Sequence, residues 1–480
     1  MIGRKREIEE LNRLYNSDQA QLVAIYGRRR VGKTYLVDQN FSGRITFRHA
    51  GLSPVEAKES GRGAMKDQLM NFYQSLLLHG ATKEKCPKSW LEAFFMLEKY
   101  LQSIDDGTRQ LIFLDELPWM DTPRSGFLTA FESFWNNWAC HRSNIMIIVC
   151  GSANSWILDK LINNHGGLYN RVTYEIKLEP FTLSECREYF EYNNVKMSDY
   201  DIAQSYMIIG GIPFYMGYLE PGLSLPQNID KMFFEKNAKL RGEFDKLFES
   251  AFSNPGEMKL IVKALNDKKI GLTREEISQK TKISNGGMLT QYLKSLIASD
   301  FIERYVPFGE NKHIEKYKLI DPLCIFWLKF LGDGKSEHSE HFWQENSNSQ
   351  SINSWRGFAF ENLCFNHIDQ IKSALGILGV SSTQSSWLKK NEGEDGMQID
   401  LLIDRKDNIL NMCEIKFYSE EFAVDKKYFL AIKQRENALA ERIPKKKIVH
   451  SILITTYGLK YNEYSSAFTK TITLNHLMQA

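Results

Sequence analysis

A glycine-rich segment near the start of the chain carries the residue types that bind a nucleoside triphosphate. The pattern G-x-x-x-x-G-K-[ST] is met by Gly27-Arg28-Arg29-Arg30-Val31-Gly32-Lys33-Thr34. Its glycines let backbone N–H groups turn toward phosphate oxygens, Lys33 reaches the β- and γ-phosphates, and the Thr34 hydroxyl is a ligand of Mg²⁺. An apolar run precedes the segment and a helix is expected to begin at Lys33, where its N-terminus attracts anions. We therefore predict an ATP-binding site whose lysine is also catalytic; a glycine- and arginine-rich turn is the alternative.

A second acidic group is needed to hold the metal of such a site. The run Leu111-Ile112-Phe113-Leu114-Asp115-Glu116 provides it, because four apolar residues are followed by two carboxylates. Ligands of parallel sheets collect at the carboxyl ends of the strands. We expect Asp115 to bind Mg²⁺ and Glu116 to orient the attacking water. An acidic pair after a strand can also be a helix cap, but the upstream glycine-rich loop favours the metal role.

A further set of charged residues lies near the C-terminus. Asp400 stands in the apolar run Gln398–Asp404, and Glu414 and Lys416 stand in the next one. A hairpin centred near Asp407 would place residues 400 and 414 opposite each other, with Cβ atoms roughly 5 Å apart. Opposed carboxylates need a compensating cation, so the pattern predicts Mg²⁺ or Mn²⁺ held by Asp400 and Glu414, with Lys416 stabilising developing charge. Glu361 would complete the site; a surface ion pair in a degenerate domain is the alternative.

Helices and strands must position these residues. Short apolar runs near 21–26, 45–47, 111–114 and 145–149 alternate with helical stretches, which predicts an α/β fold with a parallel sheet covered on both faces. Residues 179–250 have a mostly helical pattern. Residues 256–305 give three helical segments and a strand, an order that resembles a winged helix-turn-helix. After the polar stretch 332–353, interpreted as a linker, a second α/β pattern follows.

At this level the chain resembles the bacterial and archaeal AAA+-related ATPases, close to the STAND and MNS groups, which carry a C-terminal restriction-endonuclease-like domain. The resemblance rests on the nucleotide motifs and on Cys150-Gly151-Ser152-Ala153-Asn154 and Gly167-Leu168-Tyr169-Asn170-Arg171. It implies that Ser152 or Asn154 senses the γ-phosphate and that Arg171 contacts it, within its own subunit or from a neighbour. The alternatives are a simple strand end for the first segment and a surface arginine for the second.

The C-terminal layout resembles the PD-(D/E)XK nuclease fold, with Gln398-Ile399-Asp400 where that signature has Pro-Asp. The resemblance implies a metal-dependent, DNA-cleaving site. The expected domains are therefore a P-loop ATPase core (1–178), a helical lid (179–250), a winged helix (251–331), the linker (332–353) and a nuclease-like domain (354–480).

The candidate winged helix has several cations that could meet DNA phosphates: Lys280, Lys282, Lys294, Arg304, Lys312 and Lys316. Four glutamates dilute that charge, so packing against the nucleotide domain is the alternative to DNA contact. The net charge of +2 shows no global attraction to nucleic acid or membranes. Seven scattered cysteines without a C-x-x-C pair argue for reduced thiols in a cytoplasmic protein, and no run is long enough for a membrane span.

Together these patterns predict an ATPase whose nucleotide state controls a DNA-binding, possible DNA-cleaving C-terminal domain, with ATP and Mg²⁺ as ligands. A homo-oligomer and a protein partner are both compatible with the sequence. Two rival functions stay open: a nucleotide-switched regulator that binds DNA or protein without cutting, and a scaffold ATPase that uses its C-terminal parts for partners alone.

Overall fold

The computed structural model describes residues 2–479 apart from 54–63, 153, 164–165, 169, 253, 311–313, 333–337 and 390–396. The chain divides into two compact units, Met1–Glu179 and Pro180–Ala480. Within the described ranges, no helix combines the length and the apolar character that a membrane span requires.

The first unit is built on a five-stranded parallel sheet with the order β2-β3-β4-β1-β5. Its strands are β1 Gln21–Tyr26, β2 Ile45–Ala50, β3 Gln110–Asp115, β4 Ile145–Cys150 and β5 Tyr174–Lys177. The three central strands are buried almost throughout, because helices cover both faces of the sheet. The predicted parallel α/β architecture is confirmed for this unit.

Helices connect these strands and supply much of the core. They span Lys5–Tyr15, Lys33–Asn40, Ala64–Leu78, Trp90–Ser103, Leu117–Met120, Phe127–Asn137 and Asn154–Ile157. Their aromatic side chains pack on one face of the sheet, among them Phe72, Trp90, Phe94, Phe127 and Phe131. Because all five strands run in the same direction, the residues that follow β1, β3 and β4 meet at one edge of the sheet.

The second unit begins with helices, as the sequence predicts for residues 179–250. They span Leu183–Tyr192, Asp199–Ile209, Pro213–Met216, Leu225–Ile229 and Glu243–Ala251, with a π-helical turn at Asp230–Phe234.

Three more helices and a small sheet follow. The helices are Pro255–Asn266, Arg274–Thr281 and Gly287–Ala298, and the strands β6 Leu272–Thr273, β7 Ile302–Tyr305 and β8 Lys316–Leu319 are ordered β6-β8-β7. Thr273 caps the second helix, since its side chain accepts from the Glu276 backbone while the Glu276 carboxylate accepts from the Thr273 backbone. Strands β7 and β8 pair antiparallel and form a hairpin.

The described residues 338–353 of the predicted linker 332–353 are partly helical. Residues Phe342–Asn346 form a helix after the helix Pro322–Phe330, and Trp343 is almost fully buried. The carboxylate of Asp230 accepts hydrogen bonds from the Trp343 backbone at 2.7 Å and from the Gln344 backbone at 3.1 Å. Two aromatic residues and one buried acid are enough to fix this segment against the preceding helices, although its composition is that of a linker.

The C-terminal part holds a five-stranded mixed sheet of order β13-β12-β11-β10-β9. Its strands are β9 Ser382–Lys389, β10 Met397–Arg405, β11 Ile409–Lys416, β12 Ile448–Thr455 and β13 Lys470–Ile472, and its helices are Gln350–Asn366, Ile368–Leu375, Lys426–Ala440 and Leu474–Leu477. β9, β10 and β11 are antiparallel, whereas β12 and β13 run parallel to β11. Sequence analysis missed β9 and β13, because the first is polar and the second has three residues.

Replacing Asp230 tests how firmly the segment around Trp343 is anchored. Asp230→Ala leaves three N–H donors of residues 343 and 344 without their acceptor, which we expect to destabilise the fold by about 1–3 kcal/mol. Glu220→Ala, which removes an exposed partner of Lys231, should change stability by less than about 1 kcal/mol. Denaturant unfolding of both variants measures the difference; equal effects would show that the anchor contributes nothing.

Candidate functional site

The glycine-rich loop leaves the carboxyl end of β1 in a conformation that requires glycine. Gly27 has φ +145°, and a Cβ there would lie 2.3 Å from the carbonyl oxygen of Leu178. Gly32 has φ +100° and directly precedes the helix Lys33–Asn40. The loop therefore ends at the N-terminus of a helix, where backbone N–H groups are available to an anion.

The Lys33 amine lies inside this loop. Its Nζ donates to the carbonyl oxygens of Gly27 at 2.9 Å and Arg28 at 3.3 Å, and the residue is 7% exposed. Burial lowers the pKa of the amine, while the nearby Glu116 and Asp115 act in the opposite direction. Its bonds in this arrangement are to backbone carbonyls of the loop itself, so a phosphate entering the loop would exchange neutral acceptors for charged ones.

Thr34 and Asp115 are brought together across the edge of the sheet. The Thr34 hydroxyl donates to Oδ2 of Asp115 at 2.8 Å, and Oδ1 of the same carboxylate accepts from the Glu116 backbone at 2.9 Å. A hydroxyl and a carboxylate are hard oxygen donors of the kind that Mg²⁺ prefers. The donor set next to the loop thus fits the predicted magnesium, with Thr34 and Asp115 as the residues that would hold it.

Glu116, Ser152 and Asn154 also lie at this edge. Oε2 of Glu116 accepts from the Ser152 backbone at 2.9 Å and from its hydroxyl at 3.0 Å, and burial raises the pKa of the carboxyl. Oδ1 of Asn154 accepts from the Gly27 backbone at 2.9 Å. The segment after β4 therefore contacts both the predicted water-orienting acid and the predicted phosphate loop.

Arg171 lies away from the phosphate loop of its own subunit. It shortly precedes β5, and the Thr173 hydroxyl accepts from the Leu22 backbone near the start of β1. The phosphate loop follows the opposite end of β1, several residues away at about 3.3 Å each. The exposed Arg171 side chain thus belongs to the amino edge of the sheet; contact with a neighbour's nucleotide stays a prediction.

Sequence reasoning missed Cys150, the last residue of β4. Its thiol donates to Oδ1 of Asp115 at 2.7 Å. Burial raises the pKa of this thiol, as does the Asp115 charge, so it stays a protonated donor. Its position was the signal that could have identified it, because Cys150 ends the strand that lies next to β3 in the sheet.

The C-terminal hairpin has the predicted register. Leu401 pairs with Cys413 and Asp404 with Leu410, which places residues 400 and 414 opposite each other. Oδ2 of Asp400 accepts from the Ile415 backbone at 3.3 Å. The predicted site residues of this hairpin are therefore neighbours.

Cations already surround the Glu414 carboxylate. Lys416 Nζ lies 2.8 Å from Oε1, an Arg435 nitrogen lies 2.8 Å from Oε2, and the Tyr428 hydroxyl donates to Oε1. Lys416 and Arg435 lower the pKa of this carboxyl against the effect of burial. Sequence analysis missed Arg435 and Tyr428, which come from the helix Lys426–Ala440.

The pKa values of Glu361 and Asp400 are raised, whereas that of Glu414 is lowered. Burial and the charge of Asp400 raise the pKa of Glu361 to about 7. Burial and the charge of Glu414 raise the pKa of Asp400 to about 6. Among the described residues no group of three or more His, Cys, Asp or Glu side chains could hold a metal ion. In this arrangement the cluster therefore does not fit the predicted Mg²⁺ or Mn²⁺.

The cations of the candidate winged helix are only partly available. Lys280 is paired with Asp267 and Arg304 with Glu315. Lys312 lies outside the described residues.

Comparison with known proteins supports the predicted ATPase domain. Residues 1–219 match a family described as an ATPase domain predominantly from Archaea. An uncharacterized protein of Methanocaldococcus jannaschii is 26% identical over 368 residues, which are 75% of this chain and 76% of that protein. An uncharacterized ATP-binding protein of the same organism is 53% identical over 36 residues, 8% of this chain and 61% of that protein.

Among solved structures, a Walker-type ATPase of Pyrococcus abyssi covers 68% of this chain and 96% of its own at 17% identity, with a TM-score of 0.45. The family match places an ATPase domain in residues 1–219. It supports the predicted ATPase and extends the matched region beyond the first compact unit.

Cys150 provides a test of how Asp115 is held. Cys150→Ala removes one donor to the carboxylate, which we expect to cost about 1 kcal/mol and to lower ATP turnover several-fold. Cys150→Ser keeps a donor and should retain most of the activity. Cys140→Ala is the matched control, because that thiol donates to the Asn136 carbonyl. Equal turnover in the alanine and serine variants of Cys150 would contradict the role of the thiol.

The raised pKa of Glu361 predicts a pH dependence of stability. The folded state holds the proton more tightly than the unfolded chain, so its stability should fall as the pH rises from about 4.3, the ordinary glutamate value, through about 7. Glu361→Gln should remove this part of the decrease, while the exposed Glu441→Gln should not. Thermal unfolding midpoints between pH 4 and 8 measure it, and parallel curves for wild type and Glu361→Gln would refute it.

Proposed function

We propose that this protein is an ATP-driven switch in which the nucleotide state of residues 27–34 controls a DNA-contacting C-terminal part. The observation that carries the nucleotide chemistry is the bond between Thr34 and Asp115 at the end of the phosphate loop. ATP binding and hydrolysis agree with the ATPase family matched by residues 1–219.

In this proposal the residues of the first unit act as follows. Lys33 exchanges its carbonyl acceptors in the loop for the β- and γ-phosphates. Thr34 and Asp115 hold Mg²⁺, which when bound neutralises phosphate charge. Glu116 exchanges its hydrogen bonds with Ser152 for one with the attacking water, which it orients. Burial favours this exchange because it weakens the competing hydration of the carboxylate.

Asn154 links the segment after β4 to the phosphate loop through Gly27. A phosphate that displaces this contact would therefore be sensed by the segment, which is the role we propose for Asn154. Because Arg171 lies at the amino edge of the sheet, we propose that it acts on the nucleotide of a neighbouring copy. This proposal implies a homo-oligomer in the active state.

In the second unit we infer a winged helix-turn-helix at residues 251–331 and a PD-(D/E)XK-like domain at 354–480. The first inference is supported by three helices closed by the β7–β8 hairpin. The second is supported by the β10–β11 register and by β12, which runs parallel to β11. Both folds are used to contact DNA, so DNA is the partner we propose.

The contacts of Glu414 favour the hypothesis of a nucleotide-switched regulator over that of a permanently active nuclease. Its carboxylate is held by Lys416 and Arg435, and no described group of acids is arranged for a metal. We therefore propose DNA contact as the resting function and derive no cleavage step from this arrangement. The seven cysteines are free thiols, which supports a reducing compartment such as the cytoplasm.

ATP turnover and DNA retention of the full chain test the proposal. Lys33→Ala should lower turnover by about a hundredfold or more, because a charged donor to the transferred phosphate is lost. It should also abolish any effect of ATP on DNA retention. Lys99→Ala, an exposed lysine paired with Glu84, is the control. Unchanged ATP turnover in Lys33→Ala would contradict the proposed nucleotide site.

Incubating the protein with plasmid DNA and Mg²⁺ or Mn²⁺ distinguishes the two hypotheses for the C-terminal part, a regulator and a nuclease. Salt-sensitive retention without nicking supports the nucleotide-switched regulator. Nicking that is lost in Asp400→Ala and Glu414→Ala would establish a nuclease instead. No retention in any nucleotide state would overturn the DNA-contacting function.

A further inference from the structure

The helix Gly287–Ala298 and the turn before it form a stretch without acidic residues. From Lys282 to Ser299 the sequence has two lysines, Lys282 and Lys294, and no aspartate or glutamate. The helix begins without an acid in its first turn, where its backbone N–H groups favour anions. This stretch therefore has the charge that complements the phosphates of DNA.

One face of this helix is packed and the other is open. The packed face consists of apolar and aromatic side chains that recur every three or four residues: Leu289, Tyr292, Leu293 and Leu296. Gln291 and Lys294 are exposed, and Met288 in the first turn is 52% exposed. A helix with an open face of this charge is suited to the width of the major groove.

An arginine from the preceding helix holds the turn between the two helices. Arg274 is the first residue of the helix Arg274–Thr281. Its Nη1 donates to the Thr290 hydroxyl at 2.8 Å, its Nη2 donates to the Gly286 carbonyl at 2.8 Å, and its Nε donates to Oδ1 of Asn285. Three bonds from one planar group fix both the turn and the Asn285 side chain.

This contact decides which atoms Asn285 offers to a partner. A guanidinium group donates hydrogen bonds and accepts none, so the amide oxygen of Asn285 must face Arg274. The two N–H donors of Nδ2 are left for a partner on the exposed side of the residue. A freely rotating asparagine pairs with adenine through its oxygen and its nitrogen together. Because Arg274 holds the oxygen on the inner side, Asn285 presents donors alone to the outside.

We propose that Asn285 reads a DNA base as a hydrogen-bond donor fixed by Arg274, and that it selects guanine or thymine over adenine or cytosine. This assignment rests on the proposed function, because it gives a base preference to the DNA contact of residues 251–331. Asn285 directly precedes the helix, and residues at the start of a recognition helix are those that reach base edges.

The preference follows from the chemistry of the major groove. Guanine and thymine present the acceptors O6 and O4 where adenine and cytosine present amino groups. The Nδ2 donors of Asn285 pair with these acceptors, whereas against an amino group they meet a second donor. Arg274 is a positioning residue, since it acts on the base through Asn285.

Selection from a library of DNA duplexes with a randomised central segment, bound to the full chain and then sequenced, tests the proposal. For the wild type we expect one position that separates guanine and thymine from adenine and cytosine by about fivefold or more, the lower end of what a specific base contact gives. Asn285→Asp keeps the bond to Arg274 but replaces the outward donors by an acceptor. Relative to the rest of the selected site, this variant should reverse the preference toward cytosine or adenine.

Two further variants separate the role of Asn285 from a general effect on the turn. Gln279→Glu is the matched control, because it replaces an exposed amide by an acid on a different side of the helix from Arg274, and it should leave the selected bases unchanged. Arg274→Met frees the Asn285 amide to turn, so adenine should become acceptable at the same position. Thermal unfolding of each variant checks the fold, and Asn285→Asp decides the matter if Arg274→Met does not fold.

The outcomes distinguish base reading from the function on which it rests. If the wild type retains DNA without such a position, or if Asn285→Asp selects the same bases as the wild type, base reading by Asn285 is wrong and DNA contact remains. If no duplex of the library is retained in any nucleotide state, the DNA-contacting function and base reading are both wrong.

Discussion

The carboxylate of Asp115 is the group on which the nucleotide site depends. One of its oxygens accepts from Thr34, and the other accepts from the Cys150 thiol and from the Glu116 backbone. These donors come from three different segments of the chain, and the parallel sheet brings them to the same edge. Any change that tilts β3 relative to β1 or β4 would therefore act on the phosphate loop through this single side chain.

The sequence predicts most of this site because its signals are local. A buried parallel strand has a continuous apolar run, and the residue after the run lies at the carboxyl end of the strand. Asp115 and Ser152 could be placed in this way. The position of Arg171 could not, because no apolar run precedes it and its place relative to the loop depends on which end of β5 it adjoins. The contact of Cys150 with Asp115 was missed for a different reason, because a cysteine at the end of a strand is an ordinary core residue.

The C-terminal cluster shows where such reasoning ends. The opposition of Asp400 and Glu414 follows from one short turn, so a count of residues was sufficient. Arg435 and Tyr428 reach Glu414 from the helix Lys426–Ala440, and only the folded chain shows these contacts. The polar strand β9 and the helix around Trp343 were missed because their composition is that of loops, whereas burial against neighbours decides their structure.

The two sites differ in what it takes to open them. At the nucleotide site, Lys33 is bonded to backbone carbonyls, and Glu116 to a backbone amide and a hydroxyl. These neutral partners can be exchanged for a phosphate or a water without leaving a buried charge behind. At the C-terminal cluster the partners are themselves charged, and breaking a buried pair by removing one member costs about 3–5 kcal/mol. An incoming ligand would therefore have to replace the charge that it displaces. The nucleotide site can therefore exchange its partners at low electrostatic cost, whereas the C-terminal cluster holds the Glu414 carboxylate in place through two charged partners.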